Sequence, residues 1–386
     1  MRVFITAGEA SGDKLGAALM QGLKQLLPDV SFRGIGGARM QAEGLDSLFP
    51  MDEISIMGIS EILKEYRHLK ARIRQTADAV IAEQPDVLIT IDLPEFSLRV
   101  NRLVKAVSDV RIVHYVAPTV WAWRPKRAQK MAAHVDQVLA LLPFEPPYMQ
   151  AAGIACDFVG HPVVMDPQAS DAEAQAFRAR HGIDGAMALM LPGSRRSEIS
   201  RLLPIFAEVA RALQALRPDL RIVVPAAPSV AQAVRAAVQD WPGAPLVIAP
   251  DQDDSGAEKR AAFRAADVAL AASGTVSLEL AAAGTPMVIA YDMSWLSRQI
   301  IGRMLLVDTV TLVNLVSETR AIPEFIGPKC QPGPIAQALI EVLDNPARQQ
   351  EAMQLTMQRL GQGGEFPGLR AARAVLNGLA SGATRH

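Results

Sequence analysis

Arg2-Val3-Phe4-Ile5-Thr6-Ala7-Gly8-Glu9-Ala10-Ser11-Gly12-Asp13 is the stretch whose reading decides the fold. Val3 to Thr6 is a short apolar strand, and the glycines after it let the chain turn tightly into a helix read from Lys14 to Leu27. Ser11 or Asp13 is placed to cap that helix. In an open α/β sheet the carboxyl end of a strand is where ligands bind, which makes Glu9 and Ser11 candidate site residues. The spacing is not G-x-G-x-x-G, and the next candidate strand, Ser31 to Ile35, ends in Gly36-Gly37 with no acid to hold a ribose. The stretch is therefore no dinucleotide fingerprint, and a plain strand-turn-helix junction reads the same way.

Outward from it, short Val/Ile/Leu runs alternate with helical patterns along nearly the whole chain. Candidate strands are 2–6, 31–35, 86–91, 110–116, 136–141 and 155–159, then 186–191, 220–224, 245–249, 267–271 and 286–290. Such alternation means right-handed βαβ units and parallel sheets, an α/β class. Between the two sets lies Gly160-His161-Pro162 followed by the polar run Asp166 to Asp171, where a boundary falls. The expectation is two Rossmann-like domains, 1–165 and 166–345, with C-terminal helices over 346–386, one of which is able to return to the first domain. A length of 386 residues agrees with two cores rather than one.

Composition narrows the function classes. A net charge of −1 argues against a general nucleic-acid binder, which needs a clear basic excess. Cys156 and Cys330 are too few for a disulfide framework and lack metal-ligand spacing, which fits a reducing, cytoplasmic setting. Neither a signal-peptide pattern nor an apolar run long enough to span a bilayer is expected.

Four further segments carry chemistry. Leu189-Met190-Leu191-Pro192-Gly193-Ser194-Arg195-Arg196-Ser197-Glu198 is a strand end, a glycine turn, two arginines and a helix start. Free helix-start N–H groups and a guanidinium fork both favour phosphate oxygens. Ala271-Ala272-Ser273-Gly274-Thr275-Val276-Ser277-Leu278-Glu279 repeats the device, with Glu279 able to accept from ribose hydroxyls. Surface ion pairs and solvated helix ends would leave either motif alone unremarkable, but the two together favour a nucleotide site. Val87-Leu88-Ile89-Thr90-Ile91-Asp92-Leu93-Pro94-Glu95-Phe96 puts a carboxylate at the mouth of a buried strand, as a general base or as a helix cap. His114-Tyr115-Val116-Ala117-Pro118-Thr119-Val120-Trp121-Ala122-Trp123-Arg124 gathers groups suited to a sugar face or a phosphate, although a lone His is more often structural.

Together with Gly8 to Asp13, these segments and Leu312-Val313-Asn314-Leu315 occur in an order that resembles the lipid-A-disaccharide synthase family, over residues 1 to about 330. Two positions depart from its pattern, Val313 in place of a proline and Arg196 in place of a small residue. The resemblance implies an inverting glycosyltransferase of GT-B type, its two domains facing across a cleft. It would join UDP-2,3-diacylglucosamine to 2,3-diacylglucosamine 1-phosphate at the inner membrane of a Gram-negative bacterium, releasing UDP. On that plan Asp92 is the base, with Glu9 its rival. UDP is held by Gly193, Ser194, Arg195, Ser273, Gly274, Thr275, Glu279 and Asn314, and the acceptor by Ser11, His114, Trp123 and Arg124. Neither metal nor cofactor is required; Asp251-Gln252-Asp253-Asp254 reads as a solvated loop.

Acylated substrates need a route to lipid. Ile59, Ile62, Leu63, Tyr66, Leu69 and Ile73 recur at helical spacing after Ile54, Ile56 and Met57, beside Lys64, Arg67, Lys70, Arg72 and Arg74. A basic amphipathic helix lies on an anionic membrane, and a helix packed on its sheet gives the same pattern. A second basic region, Arg99 to Lys130, has eight Lys/Arg against Asp109. The expected setting is cytoplasmic and peripheral to the inner membrane, with homo-oligomers left open. Alternatives on the same plan are a cell-wall UDP-N-acetylglucosamine transferase, a 2-epimerase, or a nucleotide-regulated peripheral membrane adaptor.

Overall fold

The computed structural model describes residues 1–55, 66–250, 256–293 and 306–383. Its backbone contacts gather into two units, Met1–Pro162 with Gly363–His386, and Val163–Gln362. The sequence reading put its boundaries at 165 and 345.

In the first unit seven strands form one parallel sheet: β1 (Arg2–Thr6), β2 (Ser31–Ile35), β3 (Leu45–Ser47), β4 (Val87–Ile91), β5 (Arg111–Tyr115), β6 (Gln137–Ala140) and β7 (Ala155–Phe158). Their order is β3-β2-β1-β4-β5-β6-β7. All five residues of β4 are buried, as expected of a parallel strand covered on both faces, and its apolar run is continuous for that reason. The connecting helices include α1 (Ala10–Leu26), α2 (Ala38–Ala42), α3 (Tyr66–Glu83), α4 (Pro94–Lys105) and α5 (Lys126–Met131). Leu69 and Ile73 of α3 join Ile35, Leu88, Val100 and Ile112 in a buried cluster.

The second unit repeats the plan with six parallel strands: β8 (Met187–Leu191), β9 (Arg221–Pro225), β10 (Leu246–Ile248), β11 (Val268–Ala271), β12 (Met287–Tyr291) and β13 (Glu324–Ile326). Their order is β10-β9-β8-β11-β12-β13. Helices used below are α6 (Arg196–Leu216), α7 (Ala257–Ala265), α8 (Val276–Ala283) and α9 (Leu312–Ser317), then α10 (Pro332–Asp344) and α11 (Ala347–Arg359).

The last helix, α12 (Pro367–Ala383), packs on α1 of the first unit. Two glycines allow the close approach: a Cβ on Gly22 would lie 2.5 Å from the Gly368 carbonyl oxygen, and one on Gly368 would lie 2.3 Å from that of Ala18. Polar ties fix its register, with Gln137 Nε2 donating to Ala374 O at 2.9 Å and Arg370 Nη2 to Phe158 O at 3.0 Å.

Each strand read from the sequence is present to within a residue at its ends. β3 and β13 were not foreseen.

Candidate functional site

Strand order reverses once in each sheet, between β1 and β4 in the first unit and between β8 and β11 in the second. Loops leaving adjacent strands at such a switch point run to opposite faces and leave room for a ligand. Four of the segments singled out from the sequence, those after β1, β4, β8 and β11, are these loops.

In the second unit the loops after β8 and β11 line a pocket of about 750 Å³. Gly193, Ser194, Arg195, Ser273, Gly274, Thr275 and Glu279 all border it, joined by Lys259 and Phe263 of α7 and by an apolar wall from Pro225 to Pro228 and Ile248 to Pro250. Gly193 and Gly274 have φ of +113° and +148°, values that a residue with a side chain rarely adopts, so the turns need glycine. Helices α6 and α8 start at these loops, with Arg195 and Thr275 as their N-cap residues, so helix-start N–H groups border the pocket. Glu198 Oε2 accepts from the Ser194 and Arg195 N–H groups at 3.0 and 3.3 Å, and Arg195 Nη1 reaches Glu198 Oε1 at 3.2 Å. A carboxylate resting on these donors shows that the turn accepts an oxyanion. The Arg195 side chain remains 66% exposed. Glu279 pairs with Lys259 at 2.8 Å, and Lys259 Nζ lies 5.0 Å from the centre of the Phe263 ring. Lys259 and Phe263 were missed because they sit within α7 without motif spacing.

In the first unit the loops after β1 and β4 touch. A Cβ on Gly8 would lie 2.5 Å from Leu93 Cδ2. Glu9 is the N-cap residue of α1, and Ser11 is exposed in its first turn. Asp92 and Leu93 both have positive φ, +49° and +46°. Left-handed backbone costs a residue with a side chain about 1–2 kcal/mol, so two in succession hold considerable strain. Leu93, not Asp92, is the N-cap residue of α4, which removes the capping role as an account of the aspartate. Burial raises the Asp92 pKa above the ordinary carboxylate range, opposed by the Leu93 N–H and the charge of Arg127. A half-buried carboxylate in a strained turn at a switch point is placed as a general base is.

Trp123 and Arg124 lie on the loop after β5. Arg124 stacks 4.2 Å from the Trp123 ring centre with φ +55°, and Trp123 Nε1 donates to Thr119 Oγ1 at 3.0 Å. That loop is anchored by a residue that sequence reading overlooked. Glu145 is 3% exposed; it accepts from Trp121 Nε1 at 3.3 Å and from the Leu142 N–H at 3.0 Å. Burial pushes its pKa up to about 7. The fold thus favours the protonated form, and stability that is complete below the ordinary carboxylate pKa declines as pH rises toward 7, by on the order of 3 kcal/mol. Glu145→Gln, which cannot ionise, should flatten the fall in thermal midpoint between about pH 5 and about pH 8. A variant whose midpoint falls as steeply as the parent's would contradict this.

The structure withdraws several expected site residues into the interior. His114 is 2% exposed on β5, its Nδ1 is 2.9 Å from Thr90 Oγ1, and burial drops its pKa to about 4. It is a neutral histidine buried in the sheet and bonded to Thr90, which lends the expected acceptor role no support. Asn314, 1% exposed, donates from Nδ2 to Thr309 Oγ1 and Ile322 O at 3.2 and 2.9 Å and accepts from the Ile322 N–H at 3.0 Å. Its amide closes a loop, and it does not border the pocket described above. Ile54, expected on the membrane side, is 2% exposed in the core beside Leu69 and Ile73, so this part of the apolar stripe is packing. Asp13 does not cap its own helix; it accepts the Gly37, Arg39 and Met40 N–H groups at 2.8 to 3.1 Å and so caps α2. Ile56, Met57, Ile59, Lys64 and the Asp251–Asp254 run lie outside the described residues. Among the described residues no helix is long and apolar enough to cross a membrane, and no His/Cys/Asp/Glu cluster is built to hold a metal ion.

Comparison with known proteins supplies the remaining findings. A family described as Lipid-A-disaccharide synthetase matches residues 3–375. A lipid-A-disaccharide synthase of Ruegeria pomeroyi is 61% identical over 383 residues, which is 98% of this chain and 96% of that one. Among solved structures, a putative UDP-N-acetylglucosamine 2-epimerase from Listeria monocytogenes covers 100% of this chain and 97% of its own, with TM-score 0.64 and 14% identity. The S. aureus MnaA-UDP co-structure covers 97% of this chain and 94% of its own, with TM-score 0.61 and 15% identity. These two likenesses establish the fold alone.

Proposed function

Because this chain belongs to the lipid-A-disaccharide synthase family, we infer that it joins UDP-2,3-diacylglucosamine to 2,3-diacylglucosamine 1-phosphate, giving the β-1',6-linked disaccharide 1-phosphate and UDP. It is a glycosyltransferase of lipid A biosynthesis on a GT-B type fold. The fold alone would serve an epimerase equally well, and the family match over residues 3–375 decides between them.

The observation that carries the donor half of the reading is the single pocket shared by the loops after β8 and β11. Arg195 and the amides at the starts of α6 and α8 would meet the diphosphate, and Glu279 the ribose. Asp92 would take the proton of the acceptor 6-hydroxyl as its oxygen attacks the anomeric carbon. The new C–O bond forms on the face opposite UDP, the bond to the diphosphate oxygen breaks, and its electron pair leaves with UDP. Inversion needs no covalent sugar on the enzyme. Donors arranged beforehand around the leaving diphosphate lower the barrier where its charge develops. Trp123 and Arg124 would hold the acceptor sugar and its phosphate. Incubation of the purified chain with either lipid substrate alone should release no UDP, and with both should release it; release from the donor alone would contradict the reading.

Both substrates are lipids, which supports peripheral contact with an anionic membrane surface. With Ile54 buried, the support rests on charge: Arg67 and Lys70 of α3 are exposed. Each basic residue near such a surface contributes about 1 kcal/mol. Changing both to Gln should weaken binding to anionic vesicles roughly 30-fold at low ionic strength, with the difference shrinking as salt screens it. Equal sedimentation of variant and parent at low salt would refute this contact.

A further inference from the structure

We propose that Ser97 is a positioning residue for the transfer reaction, holding the left-handed Asp92–Leu93 turn so that the Asp92 carboxylate keeps one orientation toward the acceptor hydroxyl; this rests on reading Asp92 as the base.

A turn with two successive positive φ values persists only where its surroundings over-determine it. Here the restraints come from three directions. The Asp92 N–H donates to Tyr115 O at 2.9 Å, tying the turn to β5. Leu93 O accepts the Phe96 and Ser97 N–H groups at 3.0 and 2.9 Å, and the Leu93 side chain lies against Gly8, where a Cβ would lie 2.5 Å from Leu93 Cδ2. Buried Ser97 donates its hydroxyl to Asp92 O at 2.7 Å, the carbonyl of the strained residue itself. One turn further along α4, Asn101 Nδ2 donates to Thr90 Oγ1 at 3.1 Å, two residues before Asp92 on β4. Helix α4 therefore grips the strand end both before and at the turn.

A buried helix serine bonded to a nearby carbonyl is common, and alanine is the better helix former. What sets Ser97 apart is that its carbonyl belongs to the residue carrying the base. Without the hydroxyl the Asp92 carbonyl loses its tie to α4, and the strain in the turn then shifts that peptide toward unstrained φ and the carboxylate with it. A displacement of about 1 Å at a reacting group is enough to cost about 100-fold in rate.

The test is steady-state kinetics of the full chain with both lipid substrates, alongside UDP calorimetry. Ser97→Ala should lower kcat at least about tenfold, leaving UDP affinity and the fold unchanged by calorimetry and circular dichroism. Ser97→Thr, which keeps the hydroxyl, should restore most of it. In an Asp92→Asn background the same serine change should have no further effect on residual turnover, because it acts only through the carboxylate. A kcat of Ser97→Ala within twofold of the parent, or an equal loss with and without Asp92, overturns the inference while leaving the base intact. Near-normal turnover of Asp92→Asn overturns the base reading instead. If Ser97→Ala does not fold, Ser97→Cys decides: the thiol keeps the side chain's shape but is a weak donor, so kcat should fall at least about tenfold, and an unchanged kcat refutes the proposal.

Discussion

Asp92→Asn should lower turnover by roughly 100-fold or more, the contribution expected of a positioned general base, while UDP affinity should stay at the parent's value. Asparagine preserves the shape of the side chain and cannot take the hydroxyl proton. The expectation carries a pH signature. Burial raises the Asp92 pKa, and the base works only when ionised, so kcat/KM of the parent falls with acid at a pH above the ordinary carboxylate range. The variant's residual rate should lack that limb. Turnover near the parent's would remove Asp92 from the mechanism, and the same substitution at Glu9 would then test its rival.

Arg195→Ala should weaken UDP binding by about 1.5–3 kcal/mol, or roughly 10- to 150-fold, as expected when a hydrogen bond to a charged partner is lost. Among the described residues the exposed guanidinium pairs with Glu198 at 3.2 Å, a contact from a largely solvated side chain and worth little to folding, so the loss should appear in binding and hardly in thermal stability. Glu279→Gln should weaken UDP less, because the ribose contact it removes is replaced in part by the amide. Calorimetry showing unchanged UDP affinity in both variants would place the nucleotide outside this pocket.

The sheets were readable because their strands are continuous apolar runs. β4 and β8 bury every residue, which no amphipathic helix does. β3 and β13 escaped notice since each is a three-residue edge, Leu45–Ser47 and Glu324–Ile326, too short and too polar to show a period. The loops after β8 and β11 were legible for a different reason: a glycine turn between a strand and a helix start is common by itself, but two of them in one sheet, one with a pair of arginines, favour an anion site. Whether a polar residue turns inward was not. His114 finds Thr90 across the sheet and Asn314 finds Ile322 across a loop, pairings that only the fold creates. Ile54 met the oldest ambiguity of apolar periodicity, since a stripe that packs on a sheet and one that inserts in lipid share the same spacing. Glu145 carries no motif at all, and only its burial beside Trp121 marks it.

The most direct test of the account is product analysis of the purified chain given UDP-2,3-diacylglucosamine and radiolabelled 2,3-diacylglucosamine 1-phosphate. The account predicts label in a β-1',6-linked disaccharide 1-phosphate, with one UDP released for each disaccharide formed. Unchanged acceptor beside an epimerised donor, or beside UDP released by hydrolysis alone, would contradict it.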